Sequence, residues 1–359
     1  MQRKKALYRD VKRPGRQSGR IWAGMISLCL PFCLLSQQYT PLPLPAPIAG
    51  VNEEYSGMAT WRGRLYLEPQ YGDHKETMLD GEFCLYSIRT DSLSRVIDRK
   101  DQALTAYRKL RVEGLAQLPD SVKKYYEGFE AITIVEGAVF LSIETTDTYN
   151  YCFLLKGRID TVRGVVTVDP RHFVTLKRYP YISNAGFESV TWLPQEHKLF
   201  ACYEFNAMPG GGLGWLIDTS FKSPPRQVST PFLFFRLTDI TASRDGALFG
   251  INYFWNGDYN AYLNNNLQRN READIMKEIP DLADSLRSNA AYLRGKTTCY
   301  ARIVRLDHYT SPRWKQVTSF ECVKNNWEGL ALFRKGVLVV SDANRSSKQV
   351  TTLAYVGFE

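Results

Sequence analysis

Carboxylates recur at matched places along this 359-residue chain. Glu130 and Glu144 are equidistant from residue 137, Glu188 and Glu204 from 196, and Glu328 and Asp342 from 335. Asp239 with Asn252, and Ser56 with Glu68, are spaced in the same way about their own turns. In an antiparallel hairpin such residues face each other, so each hairpin is expected to bring two polar groups together at its open end. Like charges placed directly opposite are destabilising unless something compensates. Burial would raise the carboxyl pKa values and keep some of them protonated, whereas a bound cation would keep them ionised. Sets of Glu, Asp and Asn oxygens suit a hard ion such as Ca²⁺.

If the first position of each hairpin lines a central channel, Glu130, Glu188, Asp239 and Glu328 are the expected metal ligands. Glu144, Glu204, Asn252 and Asp342 would then border a ligand, together with Trp255 and the cations Arg345 and Lys348. The alternative is that these carboxylates only accept backbone N–H groups where strands end.

The elements that must position them are repeated β-hairpins. Five segments share one pattern: YSGMATWRGRLYLEP from Tyr55, FEAITIVEGAVFLSIE from Phe129, FESVTWLPQEHKLFACYE from Phe187, TDITASRDGALFGIN from Thr238 and WEGLALFRKGVLVVSD from Trp327. Each alternates into a short strand, turns, and returns as a second apolar strand. Arg62-Gly63, Glu136-Gly137, Asp245-Gly246 and Lys335-Gly336 are hairpin turn signals, and PQEHK from Pro194 makes a longer loop. Recurrence of one supersecondary unit points to an all-β repeat architecture, a β-propeller of four-stranded blades. Five hairpins are countable, and a sixth blade without the signature could sit in one of two long gaps; six blades are favoured, with five as the alternative. The gap from Asp98 to Tyr126 is charged and helix-tolerant. The other carries Ile275, Met276, Ile279, Leu282 and Leu286 at helical spacing, and predicts a helical insertion near 262–296. A β-sandwich would also give short strands at even intervals, but it does not require the same polar pair in each hairpin.

The composition, 44% hydrophobic and 23% charged, is that of a folded globular protein. The net charge of +9 is concentrated at the start. Eight Lys and Arg against Asp10 within residues 1–20 give +7 and leave +2 for everything after, so nucleic-acid binding loses its main support. Next comes an uncharged apolar run, Ile21 to Leu35, then a polar, proline-rich piece. That order is the order of a secretory signal peptide, and the run is shorter than the about 20 residues of a membrane-spanning helix. The expected organisation is therefore a signal peptide over 1–36, a Pro-rich linker over 37–50 and one propeller domain over 51–359. An exported, periplasmic or extracellular monomer with no membrane span follows, an uncleaved anchor being the alternative. Beyond the signal, Cys84, Cys152, Cys202, Cys299 and Cys322 form no CxxC pair, which argues against structural zinc. Cys299 and Cys322 flank a hairpin and could pair as a disulfide or stay as buried thiols.

Nucleophilic catalysis has little support. The four histidines (His74, His172, His197, His308) accompany no GxSxG elbow. The run from Met208 to Trp215 has no P-loop Lys and does not open a helix. It reads as a loop leaving the same open end as Glu204, and Tyr253, Phe254 and Trp255 leave theirs in the same way.

The stretch Asn325 to Phe358, NNWEGLALFRKGVLVVSDANRSSKQVTTLAYVGF, with CYARIVRLD before it, resembles the closing repeat of the esterase-like phytase propellers and, more loosely, the SdiA-regulated propellers. That resemblance implies a ligand site at the mouth of a propeller channel and hydrolysis of esters. Calcium-dependent lactonase propellers are more distantly similar; there a Glu opening an inner strand ligates a central ion, the context in which Glu130 sits. Two functions stay open: a Ca²⁺-assisted hydrolase of phosphate or carboxylic esters, or a non-catalytic propeller binding a small ligand, glycan or protein on the same face.

Overall fold

Alternating apolar residues rich in aromatic and β-branched types pair into strands at all five repeat segments. In the hairpin from Phe129 the two turn residues Glu136 and Gly137 take φ values of 51° and 84°. That left-handed pair matches the twist of the flanking strands, and glycine adopts it without a Cβ clash. The protein, examined as a computed structural model, is described over residues 39–358, excepting 73–78, 80–81, 147, 179–184, 207–210, 234, 256–298 and 321–324. The segment expected as a signal peptide over 1–36, the helical insertion expected near 262–296, and Cys322 lie outside the described residues, as do the side chains of Trp255 and Cys299.

Each hairpin becomes the inner half of a four-stranded antiparallel sheet. The first blade is β2 (Tyr55–Trp61), β3 (Arg64–Pro69), β4 (Phe83–Arg89) and β5 (Arg108–Glu113). The second is β6 (Tyr126–Val135), β7 (Ala138–Thr145), β8 (Tyr151–Asp160) and β9 (Val165–Lys177). The third runs β10 (Ser189–Leu193), β11 (Lys198–Cys202), β12 (Gly212–Ile217), β13 (Arg226–Thr230), and the fourth β14 (Arg236–Ala242), β15 (Leu248–Trp255), β16 (Cys299–Leu306), β17 (Lys315–Phe320). The fifth is β18 (Asn326–Phe333), β19 (Gly336–Asp342) and β20 (Thr352–Gly357), completed by β1 (Thr40–Pro41) from the other end of the chain. The outer strands of the first two blades also pair in parallel, Arg111 beside Val165, which shields two edges at once.

The inner strands close on themselves. β2 packs against β6, β6 against β10, β10 against β14, β14 against β18, and β18 against β2. Five apolar layers fill the five gaps between neighbouring blades, among them Phe129 with Phe83 and Leu141, Phe187 with Phe140 and Tyr203, and Trp327 with Ile251 and Val339. The remaining two are built around Leu237 with Phe200, and Met58 with Leu338. The fold is an all-β propeller, and among the described residues it has five blades, the alternative to the favoured six. The long gap after Trp255 separates β15 from β16, neighbours in one sheet, so it interrupts a blade and does not add one. The gap from Asp98 contains β5, the outer strand of the first blade, and a short helix, α2 (Asp120–Tyr125); another, α1 (Thr90–Ile97), precedes it.

The stretch expected as a linker over 37–50 is partly structural. Thr40 and Pro41 pair with Tyr355 and Ala354, and Leu42 donates its N–H to the Leu353 carbonyl at 2.8 Å. Pro41 is tolerated there because β1 is an edge strand, where a missing N–H breaks no ladder. Leu42 and Ile48 are buried in the layer between the fifth and first blades. Replacing Leu42 by Ala should therefore lower the unfolding free energy by about 2–5 kcal/mol, the cost of a cavity in a packed core. Val162→Ala, at a side chain 87% exposed, should change it little. Guanidinium unfolding followed by tryptophan fluorescence measures both, and equal stabilities would mean that the ring does not depend on its N-terminal closure.

Candidate functional site

Four of the five inner hairpins break register at one recurring place. The ladder skips a residue between Tyr55 and Gly57, Phe129 and Ala131, Leu237 and Asp239, and Trp327 and Gly329. Ser56, Glu130, Thr238 and Glu328 are thereby bulged out of the pairing, which re-aims their side chains. In the third blade Glu188 stands at the equivalent place, just ahead of β10. The facing pairs inferred from turn symmetry are displaced, by one position in the first blade, where the turn is centred between residues, and by two in the other three, where the bulge adds a further step. Gly128 and not Glu130 faces Glu144, Asn326 and not Glu328 faces Asp342, Leu237 and not Asp239 faces Asn252, and Gly57 and not Ser56 faces Glu68.

Hydrogen bonds across the blade gaps fix these positions. Ser56 Oγ donates to the Phe129 carbonyl at 2.7 Å, Ser142 Oγ to Phe187 at 2.9 Å, Ser189 Oγ to Leu237 at 3.4 Å and Thr238 Oγ1 to Trp327 at 2.7 Å. Every accepting carbonyl belongs to the residue just before a bulge position or its equivalent, so each blade sets where its neighbour's mouth residue sits.

The carboxylates therefore meet around the ring instead of across each hairpin. Burial, then the neighbouring Glu204, Glu328 and Glu130, push the pKa of Glu188 well above the usual carboxylate range. Glu204 is wholly buried and takes Arg236 Nη1 at 2.9 and 2.8 Å on its two oxygens. Glu130 accepts Gln70 Nε2 at 2.7 Å, yet burial and Glu144 keep its carboxyl protonated far above the ordinary value. Glu144, with Arg178 at 3.9 Å, is pushed up to about 8 by burial first and by Glu204 second. Burial also raises Glu328, with Asp342 as the next cause, and Asn326 donates a hydrogen bond to it. Asp342 is raised to about 6 by burial, opposed by the backbone N–H groups of Asn344 and Ala343.

Glu130, Glu144, Glu188, Glu204, Glu328 and Asp342 thus form one electrostatically linked array spanning the second, third and fifth blades. Asp239 is absent from the causes that shift those five raised groups. Its carboxylate accepts N–H from Ile240 at 2.7 Å and Leu330 at 2.6 Å, tying the fourth blade to the fifth. Asn252 bonds the Arg236 carbonyl and receives Arg302 Nε at 2.7 Å. Arg345 is held by Glu54 at 2.5 Å and stacks over Tyr71, while Lys348 is exposed. Among the described residues no three His, Cys, Asp or Glu side chains are arranged to hold a metal ion. Of the residues expected as Ca²⁺ ligands, Glu130 accepts from Gln70, Glu328 from Asn326, and Asp239 from the N–H groups of Ile240 and Leu330.

Sequence reasoning missed Arg178, Arg236 and Gln70. Arg178 is almost fully buried and spends its guanidinium on the carbonyls of Tyr149, Ala185 and Thr146. Arg236 opens β14. Their acidic partners, Glu144, Glu204 and Glu130, lie far away in the sequence, so no local signal marked them.

No protein-family model matches the chain, and no curated protein matches it. Solved structures of similar shape include the GH43_1 enzyme from Xanthomonas citri complexed with xylose, at 10% identity and TM-score 0.47, covering 89% of this chain and 90% of that one. A GH43 beta-xylosidase/alpha-arabinofuranosidase from a compost microbial metagenome is similar at 10% identity and TM-score 0.44, over 90% and 92%. The PQQ-bound aldose sugar dehydrogenase from Streptomyces coelicolor is similar at 10% identity and TM-score 0.40, over 90% and 96%. At this distance they carry no weight on function; the propeller rests on its own strand order and closed ring. Of what the resemblance to esterase-like phytases implies, the strand order supports the propeller alone.

Raised carboxyl pKa values have a defined consequence for stability. A group whose folded pKa exceeds its unfolded value stabilises the protein fully below the unfolded value, and the contribution disappears as pH rises through the folded one. For Asp342 and Glu144 that window runs from the ordinary 3.8 and 4.5 up to about 6 and about 8. The melting temperature should accordingly fall from mildly acidic to mildly basic pH, and Glu144→Gln should flatten the fall. A melting temperature that rises across this window in calorimetry would contradict the burial of these acids.

Proposed function

We propose that the protein is a hydrolase whose acid–base site is the carboxylate array at the mouth of the ring, acting on a neutral, hydroxyl-rich substrate of glycoside type. The observation that carries this reading is the ion pair between Arg236 and the wholly buried Glu204 at 2.8 Å, beside the buried Glu188. Neighbouring carboxyl groups raise one another's pKa values, and burial above all holds the proton on Glu188.

Hydrolysis of a glycosidic bond needs a carboxylic acid to protonate the departing oxygen and a carboxylate to activate water or attack the sugar carbon. Environments that separate the pKa values of nearby acids assign those roles. Glu188, protonated at neutral pH, serves as the acid. Asp342, at about 6, is largely ionised there and serves as the base. Glu328 is coupled to both. Buried carboxylates also accept hydrogen bonds from sugar hydroxyls, whereas a phosphate dianion entering the same array would be repelled. Calcium-assisted cleavage of a phosphate or carboxylic ester is the weaker reading for that reason, and no step here is routed through a cation.

The test is hydrolysis of a panel of aryl glycosides against aryl phosphates and aryl esters, with and without EDTA. Glycoside cleavage should survive EDTA, and Glu188→Gln and Asp342→Asn should each lower kcat by about 10²–10⁴-fold, the usual worth of an acid or base. The kcat profile should be bell-shaped, with an acidic limb near pH 6 from Asp342. Turnover of phosphates alone, or activity abolished by EDTA, would replace this reading with the metal-assisted one. Binding of glycans without turnover would leave a lectin-like module.

A further inference from the structure

The end of the ring away from the carboxylates carries a different kind of surface. The inner strands begin at the acidic mouth and finish at Trp61 and Val135, so the turns after them lie on the opposite face. Two grooves of about 550 and 800 Å³ run there and share Arg158, Thr167 and Asp169, which makes them one continuous trough across the second blade. Its basic side chains are Arg62, Arg158, Arg163, Arg171 and Lys156.

These cations are poorly neutralised. Among the described residues, Arg62, Arg158 and Arg163 form no ion pair with a carboxylate, although all three are exposed. Arg62 lies over the Trp61 ring at 4.7 Å, which holds its guanidinium in one place. Asp160, the nearest acid in sequence to Arg163, uses one carboxylate oxygen on the backbone N–H groups of Val162 and Arg163 at 2.9 Å. Asp169 is engaged by His172 at 2.7 Å and Arg171 at 3.5 Å. Trp192, with His197 edge-on at 6.2 Å, walls the other end of the trough.

We propose that this trough binds an acidic polysaccharide, a glycan chain with spaced carboxylate or sulfate groups. Unpaired guanidinium forks match carboxylate and sulfate oxygens bidentately. The indole face of Trp192 suits the apolar face of a sugar ring. Glu136, Asp160 and Asp169 lie between the cations; they would repel a nucleic-acid backbone charged at every residue, but they accept hydrogen bonds from the hydroxyls between a glycan's charges. The site is separate from the acidic mouth and independent of what happens there.

The experiment uses the full chain and measures its binding by titration to polygalacturonate, heparin, an uncharged dextran and a single-stranded oligonucleotide of equal charge. The acidic glycans should bind, more weakly as salt is added because exposed charges are screened. Dextran should not bind, and the oligonucleotide should bind more weakly. Exchanging Arg62, Arg158 and Arg163 together for Gln should weaken glycan binding about tenfold or more, the sum of three exposed charge contacts. Trp192→Ala should weaken it independently of salt. Glycan affinity unchanged in the triple variant would overturn the proposal, as would failure to bind at low salt. An oligonucleotide binding more tightly than the glycans would assign the trough to nucleic acid instead. Melting temperatures of the variants equal to that of the parent would show that the readout is binding and not folding.

Discussion

Everything in this molecule follows from the need to cover both faces of five sheets at once. A single four-stranded blade presents apolar residues on two sides and has no core of its own. Arranged as a ring, each blade supplies half of two cores, and the five layers between neighbours leave no face bare. Closure also forces the inner strands together around a narrow centre, where residues at their starts must point at one another. A carboxylate placed there cannot remain well hydrated.

The acids at the mouth are therefore costly residues retained in a place that disfavours their charge. Compensation is uneven: Glu204 has Arg236 at ion-pair distance, Glu144 has Arg178 farther off at 3.9 Å, and Glu130 has only a neutral amide. Burial nonetheless raises the pKa values of both Glu130 and Glu144. The opposite face differs in kind, since its charges are mostly exposed and cationic, carried on turns and on the outer strands β8 and β9.

The sequence made much of this legible. Hairpin periodicity and glycine turns located all five inner strand pairs, from Tyr55, Phe129, Phe187, Thr238 and Trp327, because alternation with a tight turn has no helical counterpart. The bulges were not legible. The ladder is centred between Glu136 and Gly137 and not on Gly137, and the extra residue at Glu130 adds a further step, so Gly128 meets Glu144. The same slip explains Asp239, which was matched to Glu130 and Glu328 although Thr238 occupies that bulge. The blade count failed for a related reason, since an insertion between β15 and β16 has the length of a missing blade. Arg178 and Arg236 pair with acids far away in sequence, and no local pattern announces such partners.

Closing the last blade with β1 gives the fold an order of events. Three strands of that sheet come from the end of the chain and the fourth from Thr40 and Pro41. During synthesis the N-terminal segment emerges first and must wait, unpaired, until Leu353 to Tyr355 has been made. Until then the first blade lacks its neighbour, and the apolar side chains around Met58 and Leu65 stay open to solvent or to a chaperone. Ring closure thus joins Thr40 and Pro41 to a strand far away in the sequence.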